Sequence, residues 1–172
     1  MNVHALPADE PVRPIDPARL AEANINPATG LASDYLNHFN EAIMMLEILS
    51  SMPDCIDDLI EWQPMSYREH FLTSSQKHRE LVLAAYGQAE PEARRQLDDI
   101  VDSLNAILLA TRAALELNIS PEVLTALAKE AASNAKPLVA RAGAVINGLT
   151  LSTSTSSPTG APQATVDALL ER

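Results

Sequence analysis

Glycine and aromatic residues are scarce in this chain. Among 172 residues there are five glycines, one tryptophan, three tyrosines and two phenylalanines. So few glycines leave little material for a loop that wraps a phosphate in backbone N–H groups. Gly-x-Gly-x-x-Gly, P-loop, Gly-x-Ser-x-Gly, Cys-x-x-Cys and His-Glu-x-x-His patterns are all missing, which lowers the expectation of an enzyme without removing it. A single cysteine, Cys55, cannot form an intramolecular disulfide, and this fits a reducing compartment. Asp54, Asp57 and Asp58 surround it. Neighbouring carboxylates disfavour the thiolate, so Cys55 reads as a small half-buried side chain rather than a nucleophile.

Positive charge is also short. Twelve Lys and Arg stand against 23 Asp and Glu, a formal net charge of −11. Phosphate contacts need a basic face, so a nucleic-acid partner is not expected. No apolar run approaches the roughly 18 residues of a membrane span. The first 20 residues carry Asp9, Glu10 and several prolines with no apolar block, unlike a secretory leader. The expected location is the cytoplasm.

Alanine and leucine supply most of the apolar content, which favours helix over sheet. The periodicity predicts an all-α fold: an up-down helical bundle of three long and two or three short helices over 31–149. Residues 1–30 read as a flexible Pro-rich arm. Within it, Asp16-Pro17 starts a short helix to about Glu22, and Asn26, Pro27, Thr29 and Gly30 form a turn. The first long helix is predicted from Ala32 to Ser51. Ala32, Leu36, Phe39, Ile43 and Leu46 form its stripe, and its last turns are apolar on most faces. That places it centrally in the bundle, with Pro53 as its stop. A short helix over 54–62, capped by Asp54, precedes a turn. Ser66 and Glu69 form a capping box, and Thr73–Gln76 has the same form, so a break or weak spot is expected near Thr73. Gly87 reads as a left-handed stop.

Pro91 opens the second long helix, to about 117. Ser120-Pro121-Glu122 opens the third, to about 147. Its stripe holds small residues that would let a neighbour come close. Pro137 should kink or split it near Asn134, and Gly148 should end it. Residues 150–162 read as a Ser/Thr-rich linker. Residues 163–172 carry Val166, Leu169 and Leu170 at helical spacing, in a segment too short to hold a helix alone.

His38, Asn40 and Glu41 gather beside the first stripe and are the best-placed candidate site. An exposed histidine on a bundle helix is how a phosphoacceptor is presented, with the imidazole as nucleophile. The usual sequence contexts of such histidines are missing. His38 and Glu41 at i, i+3 are also candidate metal ligands, although bundle di-metal sites use Glu-x-x-His with a second copy. The same residues could serve as polar interface contacts, and the plainest role for His38 is a hydrogen-bonded boundary residue. Glu69 is taken up by capping. His70 and His78 are about 80° apart on a continuous helix and make a poor metal pair. Trp62 and Tyr67, around Pro64, either cover one end of the bundle or form an aromatic hot spot.

Together these features predict a small acidic regulatory or adaptor protein that is not an enzyme. It would act on another protein through His38, Asn40, Glu41, Trp62, Tyr67 and the tail residues Val166, Leu169 and Leu170. No cofactor is expected, and self-association is left open. A histidine phosphotransfer bundle using His38 is the alternative, and a metal-binding bundle using His38 and Glu41 the third.

Overall fold

The computed structural model describes residues 14–117 and 120–149. Within them the chain is all-helical. The elements are α1 (Pro17–Glu22), a 3-10 turn at Ser33–Leu36, α2 (Asn37–Ile48), a 3-10 turn at Pro53–Cys55, α3 (Ile56–Glu61), α4 (Tyr67–Thr73), α5 (Arg79–Gly87), α6 (Pro91–Leu115) and α7 (Pro121–Ile146). The only bridge pairing among the described residues joins Ile25 to Ala32. No described helix is long and apolar enough to cross a membrane.

Several boundaries follow from local chemistry. The Asp16 carboxylate accepts from the N–H of Ala18, with Pro17 at the first helical position. Glu90 does the same for Glu92 and Ala93 at the start of α6, and Ser120 for Val123 at the start of α7. The Ser66–Glu69 capping box is complete in both directions. The second predicted box does not form: Thr73 ends α4, and its hydroxyl bonds back to the carbonyls of Glu69 and His70. The break expected near Thr73 is therefore real. Asp54 lies within the 3-10 turn and caps nothing. Gly87 does not adopt a left-handed conformation; among the described residues, the glycines that do are Gly30 and Gly148.

α7 packs against both α6 and α2, and α2 also meets α3 and both 3-10 turns. The buried residues of α7 include Ala128, Ala131, Ala132, Ala135 and Ala142. Side chains this small let two helices approach one. Pro137 does not split α7, which runs unbroken through it. Residues 14–30 also belong to the folded body rather than to a free arm. Leu20, Ala23, Ile25 and Thr29 are all buried. The Thr29 hydroxyl donates to the Ile146 carbonyl at 2.7 Å, while its own carbonyl accepts from the N–H of Glu90 at 3.0 Å. The start of α6 and the end of α7 thus meet at one residue, so the two helices run antiparallel. Residues 1–13, the 150–162 linker and the 163–172 segment lie outside the described residues.

Candidate functional site

The segment Trp62–Tyr67 joins α3 to α4 and ties the molecule together by four bonds. The Trp62 indole N–H donates to the carbonyl of His38 at 3.2 Å. The carbonyl of Trp62 accepts from the Arg112 guanidinium of α6 at 3.1 Å. The Tyr35 hydroxyl donates to the Met65 carbonyl at 2.7 Å, and the Ala32 N–H donates to the Tyr67 hydroxyl at 2.8 Å. Trp62 and Tyr67 are accordingly buried, at 9% and 3% exposure. They cover the core and offer little surface to a partner.

This strap lays α4 across the side of α2 that carries His38. Tyr67, His70 and Phe71 share one face of α4, at i, i+3 and i+4, and that face turns inward. His38 is buried, at 6% exposure. Its ring stacks on Trp62, with centroids 4.8 Å apart and planes 21° from parallel. The His70 ring lies 6.1 Å from it, centroid to centroid, and meets Tyr35 edge-on at 5.6 Å. His70 keeps partial exposure and forms the outer end of the pair.

Both imidazoles share one pattern. A backbone group, at Gln63 for His38 and at Asp34 for His70, favours the charged form of the ring. In each, Nε2 is buried and has no hydrogen-bond partner within the protein. Burial pushes both rings below the ordinary histidine pKa, and for His38 the nearby His70 adds to the effect. Glu41 acts on both in the opposite sense. Among the described residues no three His, Cys, Asp or Glu side chains converge as a ready ligand set.

Of the other predicted residues, Asn40 and Glu41 are exposed beside His38. His78 stands at the start of α5, beyond the helix break that separates it from His70. Cys55 is buried, which raises its thiol pKa; Asp58 and Asp54 add to this. Val166, Leu169 and Leu170 lie outside the described residues. Sequence reasoning missed the pairing of His38 with His70, because 32 positions and a turn separate them. The Tyr67–His70–Phe71 spacing was the available signal, since it marks His70 as inward-facing.

The chain matches no family model, no curated protein and no solved structure.

Proposed function

We infer that this is a small acidic helical module that works by binding another protein in the cytoplasm, without catalysing a reaction, and that α2, α6 and α7 form its up-down bundle. The observation supporting the binding role is apolar surface gathered at one end of the body. Leu46, Leu59 and Leu115 line one small cavity, so the ends of α2 and α6 lie side by side. At that end Met52, Leu117 and Val123 are 56%, 63% and 49% exposed. Apolar side chains grouped in this way are the usual centre of a docking patch, and an acidic surround would favour a basic partner. The segment carrying Val166, Leu169 and Leu170 would add a second, tethered contact.

The burial of His38 weighs against the phosphoacceptor alternative, since Trp62 and α4 stand between its ring and an incoming phosphoryl donor. The test is affinity capture with the full chain, a 1–150 truncation and a Met52→Glu/Leu117→Glu variant. A specific partner should be weakened by the double substitution and further by the truncation. Identical capture by all three would remove this reading.

A further inference from the structure

The geometry points to a two-imidazole metal site, in which Nε2 of His38 and Nε2 of His70 hold a soft monovalent cation of the copper(I) class. Two observations lead there. The first is the pair of buried Nε2 atoms without protein partners, on rings brought together from α2 and α4. A buried polar atom left without a partner is costly, so two on neighbouring rings are unusual. The second is the field. A backbone group at Gln63 favours a cation at His38, and one at Asp34 does so at His70. Glu41 acts on both imidazoles and Asp34 on His70, and each carboxylate favours a cation there.

The spacing selects the kind of ion. A metal about 2.0–2.1 Å from each Nε2 sets the ring centres roughly 5 to 6 Å apart, the larger value for a nearly straight N–metal–N angle. The observed 6.1 Å lies at that wide end. Zinc in proteins almost always takes four ligands in a tetrahedron, and no third protein ligand converges here among the described residues. A closed-shell monovalent ion accepts two nitrogen donors at a wide angle. Its single charge also costs less to place beside Trp62 and Phe39 than a double charge would. The ion would enter along His70, the more exposed ring.

The test uses the full chain under anaerobic conditions, titrated with copper(I) against a competing colorimetric chelator and, separately, with zinc(II). A Cys55→Ser background removes the thiol as a rival ligand. The expected result is one copper(I) per chain with two nitrogen neighbours by X-ray absorption, held more tightly than zinc. His38→Gln and His70→Gln should each weaken it at least a hundredfold while helicity by circular dichroism is retained. Should either variant fail to fold, the ring signals of the two histidines in the Cys55→Ser protein, read by NMR as metal is added, decide the matter. No binding, binding that leaves those two rings unmoved, or a preference for zinc would each overturn the assignment.

Discussion

Tyr67 shows how much one hydroxyl can carry. It accepts the N–H of Ala32 at 2.8 Å, at a buried position. Tyr67→Phe leaves that N–H unpaired and should cost about 1–3 kcal/mol, read as a lower urea midpoint with an unchanged slope. The paired histidines predict a pH effect of definite sign. Their folded pKa values lie below the ordinary 6.5, mainly through burial. The unfolded chain therefore binds more protons, and in the metal-free protein stability is full above pH 6.5 and falls as pH drops below it. Glu69, Glu92 and Glu122, held below the usual 4.5, begin to lose their contribution only near that lower pH. Denaturation midpoints at pH 7.5 and 5.5 should thus differ in the wild type and converge in a His38→Gln/His70→Gln protein.

At the scale of elements, α7 is a helix with a flaw it tolerates. Pro137 removes one backbone donor within an otherwise continuous helix, and its side chain faces solvent. Pro137→Ala restores the donor and should raise the melting temperature, with a gain of up to about 3 kcal/mol; thermal unfolding followed by circular dichroism measures it. The sequence made most helix starts readable, because Asp16-Pro17, Ser66-x-x-Glu69, Pro91 and Ser120-Pro121 each carry their own capping chemistry. It could not foresee that α7 stays unsplit at Pro137, because proline's cost is local, while the packing of α7 against two helices that offsets it is not. It placed His38 at an edge because the residues that cover that edge come from α3 and α4. A helical wheel of α2 contains no information about them.

For the whole molecule, charge is the main force that packing does not address. Against a net −11, the ion pairs among the described residues are few and largely exposed: Arg95 with Glu92 and Asp99, Arg112 with Glu116, and Lys136 with Glu47. Such pairs contribute little each, and self-repulsion of the remaining carboxylates works against the compact state. Raising NaCl from about 20 to 200 mM shortens the screening length to below about 10 Å. The melting temperature should then rise; a fall would mean that the surface pairs outweigh the repulsion.

Thr29 also bears on the order in which the chain can be completed. It emerges early in synthesis, yet its two long-range bonds go to Glu90 and Ile146. Gly30, held at φ +73°, sits so close to Ala89 that an added Cβ would lie 2.9 Å from its Cα. The first part of the body is thus shaped to receive partners that do not yet exist when it is made. A nascent chain halted before α7 would hold Thr29 without its Ile146 partner and Leu36 without the turn of α7 at Gly143 beside it. Such a chain should be sticky and open to proteases until Ile146 is in place. The final turn of α7 is the latch for residues synthesised more than a hundred positions before it.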